Sequence, residues 1–366
     1  MYRSFTIKNF RCFDELTVEG MGRINLIAGK NNVGKTALLE ALWVHHGAVN
    51  PDVGVRIGTF RGLDAPSLDN FLADLFHRFN RGGVIELLAI GDWSESPREL
   101  RISCEEVSTV EVPLPRPRDE QHDTRQTSST FNNSSSRVVF DYTFGPDVQL
   151  SATGRLVEQI VGPGVSTIAM EQTQRPRPYQ ENGIFLAARR TGVSNEDVQR
   201  YSQLEVAGQE GKILDILEQI EPSLGRLAVV ATGQETRIYG EIGLDRLIPF
   251  QLMGDGMSRL LSVALAIATA PGGIVLVDEI ENGIHHSVME KVWKAIGAFA
   301  HSYDVQLFAT THSYECIGAA YRAFESDEED ELRLFRIERS KEGKFRAVKF
   351  DRERLGSVLQ FNMEVI

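Results

Sequence analysis

A chain of 366 residues, 42% hydrophobic and 25% charged, is long enough to bury a full core as one large or two smaller domains. Its three cysteines (Cys12, Cys104, Cys316) show no CxxC spacing, which argues against a disulfide framework or zinc site and fits a reducing cytoplasm. A formal net charge of -12 argues against general coating of nucleic acid, although a local basic face remains compatible with it.

The opening MYRSFTIKNF has no apolar h-region or cleavage site, so no secretion signal is expected. Tyr2 to Lys8 alternate like a strand, and Ile24 to Ala28 form a second strand that runs into a glycine-lysine loop. Lys35 to His46 then reads as a helix, with Leu38, Leu39, Leu42 and Trp43 at core-facing spacing. From 50 to 180 the pattern loosens into an inserted, partly β lobe. Within it Gly82 to Ile90 and Arg137 to Phe144 look like strands, and Ser67 to Phe79 looks helical. Pro113 to Arg137 has almost no large apolar residue, and the spacing predicts a mobile loop there.

The core, made of 1–49 and 181–366, resumes with a strand at Gly183 to Ala188 and an amphipathic helix at Lys212 to Ile220 ended by Pro222. Thr236 to Ile242 reads as a strand and Ser258 to Ala270 as a strongly apolar helix. Pro271, Gly272 and Gly273 break the apolar run before the strand Ile274 to Val277, so no membrane span is expected. A helix at Ser287 to Phe299 and a strand at Gln306 to Thr310 continue an α/β alternation. Leu332 to Ile337 and Phe345 to Phe350 pattern as a hairpin around Glu342-Gly343.

Four motifs carry chemistry. Gly29-Lys30-Asn31-Asn32-Val33-Gly34-Lys35-Thr36 matches GxxxxGK[ST], with a strand before it and a helix after. Gly29, Asn31, Asn32, Val33, Gly34 and Ala37 would offer backbone N–H groups to phosphates at a helix N-terminus, Lys35 its charge, and Thr36 a hydroxyl to Mg²⁺. Ile274 to Val277 ends in Asp278-Glu279, at the carboxyl end of a buried strand where α/β sheets place ligands. Asp278 would hold the Mg²⁺ shell, and Glu279 would position or deprotonate the attacking water. His312, after QLFATT, is placed to sense or polarise the γ-phosphate. Gly254-Asp255-Gly256, followed by Ser258, makes a tight turn at a helix N-terminus that suits an anion; taken alone, it reads as a plain capped helix.

These four elements in this order resemble the ABC-type ATPases (AAA/ATP-binding proteins). The nearest branch holds structural-maintenance-of-chromosomes proteins, DNA-repair ATPases and overcoming-lysogenization-defect (OLD) nucleases. Ile7 to Phe13 look like that branch's opening strand, GDGMSR stands at its signature motif, DEIENGIHHS is similar to its Walker B and D-loop, and TTHS to its H-switch. The resemblance covers about 1–46 and 183–313. It implies an α/β P-loop NTPase fold with a mixed central sheet flanked by helices, ATP and Mg²⁺ as ligands, and a homodimer that sandwiches two ATPs. Each phosphate loop would face the partner copy's 254–256 turn, Ser258 or that turn's N–H groups would touch γ-phosphate, Asn282 to His285 would cross the interface, and Arg11 would approach the nucleotide. Gln199 and Gln203 are both candidates for the Q-loop residue.

The signature is GDGM rather than LSGGQ, and about fifty residues follow TTHS without a spaced carboxylate set. A TOPRIM nuclease domain is therefore not expected within this sequence. The leading expectation is an ATPase whose ATP-gated dimerisation regulates a separately encoded effector, a TOPRIM-type nuclease, in prokaryotic defence against phage or plasmids. The alternative is a DNA-repair or chromosome-maintenance ATPase that binds DNA directly, with Arg189-Arg190 and Arg116 to Arg118 as candidate contacts; a membrane transporter is the least favoured reading.

Overall fold

Short runs without a polar face make strands buried on both sides, and such strands pair in parallel. The computed structural model describes residues 1–48, 50, 57, 73–107, 135–145, 148–162, 165–172, 182–188, 192–233, 235–325 and 331–360. The chain begins with a hairpin, β1 (Tyr2–Phe10) and β2 (Phe13–Glu19), followed by β3 (Ile24–Ala28) and helix α1 (Lys35–His46). Five strands come next: β4 (Ile85–Gly91), β5 (Ser94–Val107), β6 (Ser135–Phe144), β7 (Val148–Gly162) and β8 (Val165–Gln172). After β9 (Gly183–Leu186) lie α2 (Asn195–Val206), α3 (Gly211–Glu218), β10 (Arg226–Thr232), β11 (Glu235–Glu241) and β12 (Ile248–Pro249). The last part holds α4 (Asp255–Ala268), β13 (Ile274–Val277), α5 (His286–Ser302), β14 (Gln306–Thr310) and α6 (Tyr314–Ala323). It closes with β15 (Leu332–Arg339), β16 (Phe345–Phe350) and α7 (Arg352–Gln360).

Two large sheets result. One is mixed, in the order β16-β15-β3-β14-β13-β9, parallel throughout except for the antiparallel edge strand β16. The other is antiparallel, in the order β2-β1-β4-β5-β6-β7-β8. The strands of 85–172 are thus laid directly onto the chain's first strand. A third, small sheet joins β10, β11 and β12.

Period-two alternation decides which core each side chain of the mixed sheet enters. Val275, Val277, Leu307, Ala309 and Leu26 pack with α4, α5 and α6 on one face. Ile274, Leu276, Phe308 and Ile27 turn to the other face and meet α1 and the antiparallel sheet. Lying between two sheets, α1 has nine buried residues of twelve, from Ala37 to His46, which is why its sequence is apolar on nearly every side. Gln306 ties the layers: its Oε1 accepts from Tyr2 N at 2.7 Å, and its Nε2 donates to Tyr2 O and Gly22 O at 2.8 and 2.7 Å.

Of the helix expected from Ser67 to Phe79, Ala73 is helical, and the described chain leaves the helix there for a turn at Asp74-Leu75. Residues 67–72 lie outside the described residues, and His77–Phe79 make a single 3-10 turn broken by a positive φ at Arg78. The segment 113–134, expected to be a mobile loop, Arg189-Arg190 and Arg116 to Arg118 also lie outside the described residues. The helix expected from Ser258 begins at Asp255, inside the GDG motif. Among the described residues no helix is long and apolar enough to cross a membrane, and none of Cys12, Cys104 and Cys316 is in a disulfide.

Candidate functional site

The phosphate loop connects the buried end of β3 to the first turn of α1. Gly29 and Gly34 hold φ values of 145° and 97°, and Asn32 holds 65°, so the loop curls in the way that turns successive N–H groups inward. Neither glycine has room for a side chain. A Cβ on Gly29 would lie 2.8 Å from Ile337 O, and one on Gly34 would lie 2.5 Å from the Phe13 ring. Lys35 folds over the loop, its Nζ donating to Gly29 O at 2.6 Å and Lys30 O at 3.0 Å. Burial lowers the Lys35 pKa, opposed by the charges of Asp278, Glu279 and Glu281.

Parallel pairing of β13 with β14 brings the two acids and the histidine to one end of the sheet. Thr36 Oγ1 donates to both Asp278 carboxylate oxygens at 3.1 Å, and Thr310 Oγ1 donates to Asp278 Oδ1 at 2.6 Å. Desolvation raises the Asp278 pKa, against the two hydroxyl bonds that lower it; Glu279 and Glu40 add to the rise. Glu279 sits at φ 49°, a left-handed conformation in a non-glycine residue. Its amide donates to Thr310 Oγ1 at 2.8 Å, and Asn282 Nδ2 donates to its Oε2 at 2.8 Å. His312 Nδ1 lies 3.9 Å from Glu279 Oε1 and 3.2 Å from Glu281 Oε1.

Lys35, Thr36, Asp278 and Glu279 line one cleft of about 1940 Å³, together with Asn31, Asn32, Gly34, Ala37 and Arg11. Arg11 is committed within it: Nε lies 3.3 Å from the buried Glu40 carboxylate, and an Nη donates to Asp74 O at 2.9 Å. Gly254, Asp255, Gly256 and Ser258 do not line this cleft. Gly254 (φ 101°) and Asp255 are exposed, whereas Ser258 is 2% exposed with its hydroxyl donating to Gly254 O at 3.2 Å. The turn packs against the loop after Glu279 so closely that a Cβ on Gly256 would lie 2.5 Å from Gly283 O. Within that loop Asn282 also donates to Ala188 O at 3.3 Å, while Gly283 and His285 are exposed. Gln199 and Gln203 stand on the exposed face of α2 and do not line the cleft.

Three residues that hold the site were not singled out by sequence reasoning. Thr310 was visible only as the end of an apolar strand. Glu281 accepts from Thr311 Oγ1 at 2.8 Å and His312 N at 2.9 Å, and so fixes the histidine's backbone. Arg259, 5% exposed, donates to the carbonyls of Asp278, Glu279 (3.4 Å) and Ala187 (3.2 Å). Its signals were its place at the end of GDGMSR and at the start of an otherwise apolar helical run.

A family model described as "AAA domain, putative AbiEii toxin, Type IV TA system" matches residues 116–317, and one described as "AAA ATPase domain" matches residues 1–46. A Helicobacter pylori protein named "ATP/GTP phosphatase" is 22% identical over 332 residues, spanning 87% of this chain and 86% of that protein. An uncharacterised protein of Methanocaldococcus jannaschii is 55% identical over 42 residues, which are 12% of this chain and 19% of that one. Among solved structures, the Smc head domain with an extended coiled coil bound to the C-terminal domain of ScpA, from Pyrococcus furiosus, is similar at TM-score 0.48 and 10% identity, covering 99% of each chain.

Proposed function

This chain belongs to the AAA-domain family matched over residues 116–317 and is an α/β P-loop ATPase, and from that premise we propose that its hydrolytic cycle is a cycle of dimerisation. The observation that carries this reading is a separation. Gly254 and Asp255 of the Gly254-Asp255-Gly256 turn are exposed, yet the turn does not line the phosphate-loop cleft of its own chain. A second copy, packed head to tail, would bring its turn over the γ-phosphate and complete the site. The free N–H groups at the start of α4 would then face the phosphate, rather than the inward Ser258 hydroxyl.

In this reading the N–H groups of 29–37 and the Lys35 ammonium bind the β- and γ-phosphates. A buried carboxylate (Asp278) beside a hydroxyl (Thr36) is a donor set that suits Mg²⁺, and the raised Asp278 pKa marks a negative charge left short of solvation. Bound there, Mg²⁺ would neutralise charge on the phosphate oxygens. Glu279, oriented by Asn282 and Thr310, accepts the proton of the attacking water on its carboxylate, and His312 senses the γ-phosphate. Size measurement of Glu279→Gln with and without ATP tests the cycle: an ATP-stabilised dimer is expected, and a species of unchanged mass would overturn it.

The output we assign to this cycle is control of a separately encoded effector, a nuclease of TOPRIM type, in cytoplasmic defence against phage or plasmids. The family's description, which names a toxin of a toxin–antitoxin system, supports a defence setting. Co-purification with the proteins encoded beside it tests the partner. Recovery of the ATPase alone, with intrinsic DNA cleavage, would count against it.

A second reading, direct DNA binding in repair or chromosome maintenance, is favoured by one observation. Residues 333–354 hold nine Lys or Arg against four Asp or Glu, in a chain of net charge -12. Lys341, Lys344 and Lys349 are exposed on the hairpin of β15 and β16. ATP-dependent DNA binding that falls steeply with salt, and is lost when these three become Glu, would support this reading over the effector.

A further inference from the structure

A phosphate loop and two acids account for the triphosphate end of a nucleotide, but not for its base. The turn His77–Phe79 stands where the base end can be met. Two consecutive non-glycine residues in it, Arg78 and Phe79, hold φ values of 55° and 60°. Left-handed backbone in L-residues is costly and persists only where its surroundings hold it. Here they do: Phe10 and Phe76 form an antiparallel bridge, Arg11 N donates to Leu75 O at 2.8 Å, and His77 Nδ1 lies 3.0 Å from Arg11 O. The other side of the same 10–13 turn lies on the phosphate loop, where a Cβ on Gly34 would come within 2.8 Å of Cys12 Sγ. The strained turn is therefore held in register with the phosphate loop by the β1–β2 corner.

What the strain achieves is the outward display of one ring. Phe79 is 69% exposed, whereas Phe76, three residues earlier, is 2% exposed. Among the described residues Phe79 is the only aromatic side chain among the large exposed hydrophobics. It does not face open solvent at a random place: His77, Arg78 and Phe79 line the same cleft as Asn31, Lys35 and Thr36. An apolar ring displayed at fixed height beside a phosphate site is the feature that aromatic stacking of a nucleobase needs.

We infer that Phe79 is the platform on which the purine base of the bound nucleoside triphosphate stacks. This rests on reading 29–36 as the triphosphate site. A bare phenyl ring presents no donor or acceptor to the base edge, so it gains from the area of a purine without telling adenine from guanine. The ligand class is then a purine nucleoside triphosphate, with ATP and GTP held alike and pyrimidine triphosphates held less tightly.

The test is calorimetric titration of the full chain with the Mg²⁺ complexes of ATPγS, GTPγS and inorganic tripolyphosphate. Phe79→Ala is expected to weaken both nucleotides by about tenfold, within the range that loss of one base–aromatic stack produces. It should leave tripolyphosphate binding unchanged. Phe79→Trp should keep nucleotide affinity, and nucleotide but not tripolyphosphate should quench the fluorescence it adds over wild type. Wild-type affinity for ATPγS in Phe79→Ala, or an added fluorescence blind to nucleotide, overturns the platform. Lys35→Ala separates the two failures. If that variant binds all three ligands as wild type does, the phosphate-loop reading fails and the platform falls with it. If only the Phe79 variants behave as wild type, the phosphate loop stands and the platform alone is wrong.

Discussion

Thr310 donates its hydroxyl hydrogen to Asp278 Oδ1 at 2.6 Å and accepts the Glu279 amide at 2.8 Å, so one side chain at the end of β14 positions both acids at the end of β13. The neighbouring strand thereby sets the spacing between Asp278 and Glu279, the groups proposed to hold the metal and the attacking water.

Thr310→Val keeps the shape of that side chain and removes both bonds. A hydrogen bond to a charged group contributes roughly 1.5–3 kcal/mol, so kcat for ATP should fall by about ten- to hundredfold. The Kd for ATP, set chiefly by the phosphate loop, should change less than about threefold, and steady-state kinetics beside calorimetry reads both.

Asp278→Asn should stabilise the nucleotide-free protein at neutral pH. Burial raises this carboxyl's pKa in the folded chain, so the folded state binds its proton more tightly than the unfolded state does. Its contribution is fully favourable below the ordinary carboxylate range and is lost as pH rises through the folded pKa. Thermal melts should place the variant above wild type at pH 7.5, with the gap closing as pH falls toward 4. A variant that melts lower at pH 7.5 would contradict the desolvation argument.

Gly256→Ala places a methyl 2.5 Å from Gly283 O, a backbone atom that cannot rotate away. Overpacking of this kind costs about 1–3 kcal/mol, and it displaces the exposed loop at 283–285. The monomer should still bind ATP, because the phosphate loop is untouched. Dimer formation by the Glu279→Gln protein should be lost when the two changes are combined, as read by light scattering.

Arg259→Lys retains the charge but cannot span three carbonyls. The left-handed turn at Glu279 then loses its backbone support, and kcat should drop by more than about tenfold, the equivalent of roughly 1.4 kcal/mol. ATP affinity should stay close to wild type. Equal turnover in the two proteins would show that Arg259 only fills the core.

What could be read in advance follows from burial. Ile24 to Ala28, Ile274 to Val277 and Gln306 to Thr310 have no solvent-facing side, so nearly every residue in them reports the strand, and the structure places all three as expected. β5 carries six charged residues and a proline in SESPRELRISCEEV, and β2 carries three acids, because antiparallel strands with one wet face lose that signal. α2 was hidden by its polarity, with Val198, Tyr201 and Leu204 as its buried stripe; its Ser194–Asp197 capping box was the cue that could have revealed it. The site divides similarly. Lys35, Thr36, Asp278, Glu279 and His312 each sit in a local pattern. Thr310, Glu281 and Arg259 act through neighbours far away in sequence, so no spacing rule points to them.

The helix that starts at the phosphate loop has a further consequence. With nine of its twelve residues buried between two sheets, α1 has no free side on which to give way. Its first turn is the end that a triphosphate would pull on, and a tug there cannot be absorbed as local slack. It must reach both sheets as a shared mechanical load. The fold is therefore stiff at the very point where charge arrives, and the antiparallel sheet feels a bound nucleotide through α1 as well as along the cleft wall that Asp14 to Thr17 form.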